Sequence, residues 1–332
     1  MRDSRTSRTT RAFEFLADVC LLAVISLAAL AWFYQQGYLL YFGDAMAHLN
    51  IARRVMDSRT PGYAQVGTVW LPLPHLLMLP LAGNDALWRS GLAGAIPSAI
   101  SFVVGGGFLF AAVRRIWASA AAALAAVLLF AGNPNVLYLQ SIPMTEAVFF
   151  AALAALLYFT AVFRDSQSHW AAAGAGLAGL AGTLTRYEGW FLIPFVTLYF
   201  LAAGGKRRWT AAMLFGAVAS LGPLYWLAHN WWYYGDALEF YHGEWSAQAI
   251  YLRALASGLQ PYPGDGDWRL AAEHFAAAVR LAAGWPLVAM AAGGAAVTLW
   301  RRRWQPLALL ALPAVFYVWS IYSSGTPIFV PH

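Results

Sequence analysis

Charge and cysteine are what this chain has little of. Only 11% of its 332 residues are charged and a single one is cysteine, while 61% are hydrophobic. So little charge excludes a soluble globular domain, because the apolar surface comes in long uninterrupted runs that a water-facing fold could not cover. The composition is that of a polytopic membrane protein. The lone cysteine, Cys20, lies inside the first apolar run. It excludes an internal disulfide or a multi-thiolate metal site and serves as a small apolar filler. A glycine-rich phosphate loop is also missing. The stretch AAAGAGLAGLAGTL (171–184) is rich in small residues, but such a loop needs a preceding strand, which lipid forbids. Gly174, Ala178 and Gly182 instead let that helix approach a neighbour closely.

What is present is a series of apolar runs. The N-terminal MRDSRTSRTTR carries four arginines, so residues 1–12 read as a basic cytoplasmic tail. A run from Ala12 to Tyr34 follows, too long for a signal peptide and without a clean cleavage site, so it reads as a retained helix. Further runs lie at Leu87–Ala112, Trp117–Ala131, Glu146–Phe163, Trp170–Leu184, Gly189–Ala203, Trp209–Ala228, Gly284–Trp300 and Pro306–Tyr322. These predict an all-α protein of about nine transmembrane helices, with 13–332 as one membrane domain. Thr68–Ala82 is apolar but short and is broken by Pro72, Pro74 and Pro80, so it reads as a re-entrant or surface-lying segment. LAAEHFAAAVRLAA (270–283) reads as an amphipathic helix on the outer leaflet.

Basic residues set the expected orientation. Arg114 and Arg115, Arg164, Lys206 to Arg208, and Arg301 to Arg303 fall on alternate loops, in phase with the N-terminus, and are expected to be cytoplasmic. The outer set then includes a first loop at 37–89 and a long loop at 229–283. The net charge of +6 describes this topology and gives no reason to invoke nucleic acid. Acids show the complementary pattern: only Asp3 and Asp165 fall on inner loops, and Glu14 and Asp18 lie near the start of the first run. Any acid–base chemistry is therefore expected outside the cytoplasm.

Three stretches hold the candidate chemistry. GDAMAHLNIARR (43–54) sets Asp44 and His48 four residues apart on one helical face, with Arg53 and Arg54 further round. An acid and its orienting imidazole could be built this way; equally, Asp44 could cap the helix and His48 pack at the interface. Glu146, in SIPMTEAVFF, begins a spanning helix, and Arg186, Tyr187 and Glu188 share a tight turn in LTRYEGW. Both acids are expected at the membrane depth of Asp44.

The ordered set of a first-loop acid, LNIARRV, WLPLPHLL, MTEAVFF and TRYEGWFLIP resembles the C-type (GT-C) glycosyltransferases. The nearest groups are the protein O-mannosyltransferases and their bacterial relatives, including the aminoarabinose transferases of lipid A. The similarity runs from about Leu16 to Phe240. The resemblance implies inverting transfer of a sugar, a mannose-like hexose favoured, from a polyprenyl phosphate to a protein, lipid or glycan acceptor. Catalysis would take place on the extracytoplasmic face of the cell membrane. It puts the general base at Asp44, with His48 and Glu146 as catalytic neighbours, and puts Arg186, Tyr187, Glu188, His75 and Arg53 against the substrate. His75 takes the place where some relatives have lysine. Many relatives pair acids in the first loop, but here Ala45 and Met46 follow Asp44, so a divalent cation (Mg or Mn) would draw on Asp44 and Glu146. The resembling families continue beyond the point where GTPIFVPH stops, which gives the expectation of a truncated C-terminus. A transporter or lipid-linked-sugar flippase is the rival reading; it would place charges or broken helices near the midplane.

Overall fold

The computed structural model describes residues 2–328, with side chains from Thr9 onward, and every regular element among them is a helix. The end of GTPIFVPH, and with it part of the basis for the expected truncation, lies outside the described residues. In chain order the helices are α1 (Arg2–Gln35), α2 (Gly43–Met56), a 3-10 turn (Tyr63–Val66), α3 (Leu73–Ala82), α4 (Asp85–Ser90) and α5 (Leu92–Trp117). Then come α6 (Ala120–Ala131), α7 (Pro134–Gln140), α8 (Glu146–Ser166), α9 (His169–Thr183), α10 (Glu188–Ala203) and α11 (Arg208–Tyr234). The last four are α12 (Glu239–His242), α13 (Ala247–Ala256), α14 (Trp268–Trp300) and α15 (Trp304–Tyr322).

Six of these helices are long and apolar enough to cross a membrane: α1, α5, α8, α11, α14 and α15. The expected count of nine is not confirmed by length and composition. The α6–α7 pair passes the same test only as one span bent by 71°. The bend follows from local chemistry: the Asn133 side chain accepts from the backbone N–H of Asn135 and Val136, and Pro134 starts a new helix there. α9 and α10 have 15 and 16 residues, so each rises about 22–24 Å, less than a usual span, yet they join the Gln167–Arg207 end of the unit to the end that carries Glu146. Gly91, in the left-handed region at φ 85°, ends α4 and makes α5 start at Leu92, not at Leu87 as the hydropathy suggested.

The chain groups into two compact units, Met1–Gly189 with Thr197–Pro223, and Trp190–Val196 with Leu224–His332. In the first unit α5 packs on α1, α6 and α8, and α8 packs on α9. Small residues allow this, since lipid offers no hydrophobic drive between helices. Gly105 lies against the Ala151 backbone, and on α9 Gly174 faces Phe159 while Gly182 faces Phe149 and Ala152. One end of the unit collects ion pairs from the basic loops: Arg114 with Glu14 at 3.1 Å and Arg115 with Asp165 at 3.0 Å. Arg207 also donates to the Gln167 carbonyl there. The far end of α8, about 30 Å away along the helix, carries Glu146 and with it the candidate site.

At that end the segment expected to be broken by proline is a helix. Pro74 sits in the first turn of α3, where its missing N–H costs nothing, and Pro80 is accommodated within it. α3 lies on α2 through Leu49, Ala52, Met78 and Ala82, with Ala93 of α5 beneath. Each fully buried Leu or Met there contributes about 1.5–3 kcal/mol relative to exposure in water.

In the second unit, Tyr251, Tyr262, Ala271 and Ile321 form the core. Asp265 ties it by accepting from Tyr251 and Ser324, and Trp268 stacks on Tyr322 at 4.1 Å. α14 leaves helical geometry at Gly284 (φ 75°, ψ 156°). This divides it where the sequence changes from the amphipathic 270–283 stretch to the apolar run.

Candidate active site

α2 begins after Phe42, so Asp44 lies in the first turn and is not the N-cap. There its charge complements the helix dipole. Asp44 is exposed and has no hydrogen bond or ion pair among the described residues. Four residues on, His48 is buried at 3% exposure, and its Nδ1 lies 2.8 Å from Nε2 of His75, itself fully buried on α3. The His48 ring also packs on Trp70, with centroids 4.3 Å apart. The imidazole expected to orient Asp44 is thus engaged with another imidazole. The reason is packing: the face of α2 that carries His48, Leu49 and Ala52 is the face α3 covers, while Ala45 packs on Ile142 and Met144.

Both rings are held neutral. Burial lowers the His48 pKa to about 4, and the nearby Arg186 guanidinium adds to the effect. His75 is lowered well below the ordinary histidine range, first by burial, then by His48 and Arg54. The Leu71 carbonyl pulls in the opposite direction as a proton acceptor. His75 Nδ1 is sealed from solvent and makes no hydrogen bond of full geometry.

Arg186 is the centre of the second group. Its Nε donates to Glu188 Oε1 and its Nη1 to Glu146 Oε1, both at 2.8 Å, and Nη1 also donates to Thr145 Oγ1 at 2.9 Å. This joins the start of α8 to the turn between α9 and α10. The Glu188 side chain is 5% exposed, that of Arg186 25% and that of Glu146 21%. One guanidinium therefore serves two carboxylates, so the cluster as it stands is formally anionic, and Arg186 is committed before any phosphate arrives. The turn is tight because Gly189 sits on the Gly182–Thr183 backbone: a Cβ there would lie 2.6 Å from the Gly182 carbonyl carbon.

Two hydrogen bonds fix this turn to the segment that leads into α3. Tyr187 donates from its hydroxyl to the Val69 carbonyl at 2.7 Å, and Leu73 N–H donates to the Leu184 carbonyl at 2.9 Å. They account for the reach of Arg186 to His48. Tyr187 is thereby a strut, holding Trp70 and Leu71 beside the site.

Arg53 is placed elsewhere. Its guanidinium donates to Asp57 at 2.6 Å, to Asp85 at 2.7 Å and to the Ala82 and Gly83 carbonyls, and it lies over Trp88. It fastens α2 to the α3–α4 corner. Arg54, the next residue, is exposed, has no carboxylate partner among the described residues and acts electrostatically on His75. The sequence reading passed over Arg54, Thr145 and Trp70 as site residues. Thr145 adjoins Glu146 and Trp70 lies five residues before His75, so adjacency was the available signal.

Among the described residues no three of His, Cys, Asp and Glu come together as a set that could hold a metal ion. Glu146 Oε1 is held by Arg186, so a divalent cation drawing on Asp44 and Glu146, with waters filling its remaining positions, would have to compete with that guanidinium.

Residues 85–233 match the family described as dolichyl-phosphate-mannose-protein mannosyltransferase. The resemblance seen in the motifs is found again over that stretch, which is narrower than 16–240 and implies a membrane glycosyltransferase of the mannosyltransferase kind. It contains Glu146, Arg186, Tyr187 and Glu188, while Asp44, His48, Arg53 and His75 precede it. No curated protein and no solved structure matches the chain.

Proposed function

We propose that the protein transfers a mannose-like hexose from a polyprenyl-phosphate donor to an acceptor at the extracytoplasmic membrane face, with inversion at the anomeric carbon. The observation that carries this reading is the Glu146–Arg186–Glu188 cluster, lodged beside a neutral histidine pair at one end of the first unit. Inverting transfer needs a group to take the acceptor's proton and cationic or dipolar groups to meet the charge gained by the departing phosphate. Both kinds of group are present within one cluster of helix ends. Arg54, exposed and without a carboxylate of its own, is the cation placed to meet the phosphate. Arg186, already shared between two acids, holds the floor of the site and contributes a long-range field. Asp44 has no orienting group among the described residues, so the resemblance alone supports it as the base. Apart from Asp18, which is buried within α1, the charged groups of the first unit gather at its two ends, an arrangement that suits a site at one face better than a transporter or flippase.

The test is to offer membranes containing the protein a set of radiolabelled polyprenyl-phosphate sugars. Mannose is expected to leave the lipid and enter acceptor material. If no sugar leaves its lipid at a rate above that of membranes lacking the protein, the reading is wrong.

A further inference from the structure

We infer that the first unit holds an anionic phospholipid at the end opposite the candidate active site, with an acyl chain in a groove between α1, α5 and α8 and its phosphate between Arg11 and Arg115. The inference is independent of the glycosyl-transfer reading, since Tyr158 on the groove lies twelve residues after Glu146, about 18 Å along α8. The groove has a volume of about 440 Å³, within the range of ligand sites. Phe15 and Val19 of α1, Val104, Gly107 and Ala111 of α5, and Tyr158 of α8 line it, and the Tyr158 hydroxyl is the one polar side-chain group among its lining residues. Its rim is open to the surroundings, with Phe15 43% and Val104 45% exposed. Gly107 gives it depth: a Cβ there would already touch Phe15 and Val19 at 3.6 Å, so any longer side chain would fill the floor.

Helical spacing leads both walls to an arginine. On α1, Arg11 lies one turn before Phe15 and two before Val19; on α5, Arg115 lies one turn after Ala111 and three after Val104. The two helices run antiparallel here, because Gly107 meets Phe15 and Val19 while Arg114, further along α5, pairs with Glu14. Both arginines therefore come to the same end of the groove, each about 6 Å of helix rise beyond the last lining residue. Arg11 is exposed and has no hydrogen bond or ion pair among the described residues. Arg115 shares Asp165 with Arg164, so one carboxylate balances two guanidiniums. Glu14 is taken by Arg114, and Asp18 has both oxygens sealed. The excess charge at this end is positive even when Asp18 is counted.

An apolar slot that ends in unbalanced guanidiniums matches a lipid with hydrocarbon below and a negative headgroup above. The phosphate diester oxygens accept charge-assisted hydrogen bonds from arginine, and basic pockets between spanning helices select anionic headgroups. A zwitterionic headgroup would bring its own cation against Arg11. The sugar donor also carries a phosphate on a lipid, but the proposed reaction keeps that phosphate at the other end of α8, so the occupant is a resident phospholipid. Its chain, lying between α1 and its neighbours, adds contacts to the least buried of the three helices.

The test reconstitutes the full chain in phosphatidylcholine vesicles containing a little phosphatidylglycerol, or a little phosphatidylcholine, with a diazirine on one acyl chain. Sites of light-driven attachment are then read by mass spectrometry. Within 15–19 and 103–111, phosphatidylglycerol is expected to attach roughly fivefold or more above phosphatidylcholine, with high salt narrowing the ratio. Arg11→Gln combined with Arg115→Gln is expected to bring the ratio close to unity. Arg11→Gln alone, which breaks no contact of the fold, should lower it about twofold or more, and this decides the matter if the double variant does not fold. Ala111→Phe should reduce attachment of both lipids in the groove, while the exposed Leu221 and Leu224 of α11 label alike in every variant. Equal attachment of the two lipids to the wild-type groove, or a ratio that the arginine variants leave unchanged, overturns the proposal. Excess polyprenyl phosphate is expected not to compete; if it clears phosphatidylglycerol from the groove, the occupant is the donor's lipid and the proposal is wrong. Sugar transfer is not read, so a failure of the glycosyl-transfer reading leaves this result standing.

Discussion

Arg53 and Arg54 stand side by side in the last turn of α2, yet only Arg53 has carboxylates and carbonyls to hold it. They should therefore fail differently. Arg53→Met removes the fastening between α2 and the α3–α4 corner, so it is expected to lower the melting temperature in detergent. Arg54→Met should leave melting unchanged and raise the donor concentration needed for half-maximal transfer, because a phosphate partner is lost and no fold contact is. The histidine pair gives a second prediction at this scale. Both rings titrate lower in the fold than in the unfolded chain, so below the ordinary histidine pKa of 6.5 the unfolded state binds more protons. Stability is then full above pH 6.5 and falls as the pH drops; the His48 share of the loss is complete below about 4, while the His75 share continues in the same direction. For His48 alone the loss is roughly 3 kcal/mol. Thermal unfolding across this range, with His48→Asn flattening the curve, checks the sign.

Helices explain why some of these partners were legible and others were not. Glu146 and Glu188 each begin a helix, so hydropathy alone places both at one end of the bundle, and Arg186 meets them there. The His48–His75 contact joins residues 27 positions apart through α3, whose prolines read as breaks. Pro74 falls in a first turn and leaves the helix intact, so the ring that captures His48 could not be foreseen from α2 alone. Spacing gave Asp44 and His48 a shared face, but a shared face does not make a pair when a covering helix offers a better partner. The α9–α10 turn is the most exacting joint in the site. Gly189→Ala would force a Cβ into the Gly182–Thr183 backbone, which cannot swing aside as a side chain would. It is expected to cost about 1–3 kcal/mol and to abolish transfer. Gly205→Ala, with open space around it, should do neither; melting and transfer assays on the two variants settle the comparison.

Across the whole molecule, the phase of the basic loops was readable because their ion pairs gather at one end of the first unit, as Arg114 with Glu14 and Arg115 with Asp165 illustrate. The bounds of the helices were less so, because hydropathy counts apolar residues and is blind to where a helix stops or bends, as α9 stops after 15 residues and the α6–α7 pair bends by 71°. The proposed orientation is checked by cysteine labelling in a Cys20→Ala background. A reagent that cannot cross the membrane is expected to reach a cysteine replacing Asp265 and to miss one replacing Arg207 in intact cells. The reverse pattern would put the site on the cytoplasmic side.

The interruption at Gly284 bears on which membranes suit this protein. A backbone at φ 75° there is held by glycine, with Pro286 just beyond it, so the apolar half of α14 cannot lengthen by recruiting residues from the amphipathic half. It is left with Trp285–Trp300, about 24 Å of helix, against a hydrocarbon layer of about 30 Å. A short span of fixed length cannot make up the deficit by tilting, since tilt shortens its reach further. Either the bilayer thins around it or the flanking Arg301, Arg302 and Arg303 snorkel to the headgroups, at a fraction of a kcal/mol for each ångström. Short-chain lipids remove that penalty, which makes acyl-chain length a determinant of how comfortably this part of the chain is seated.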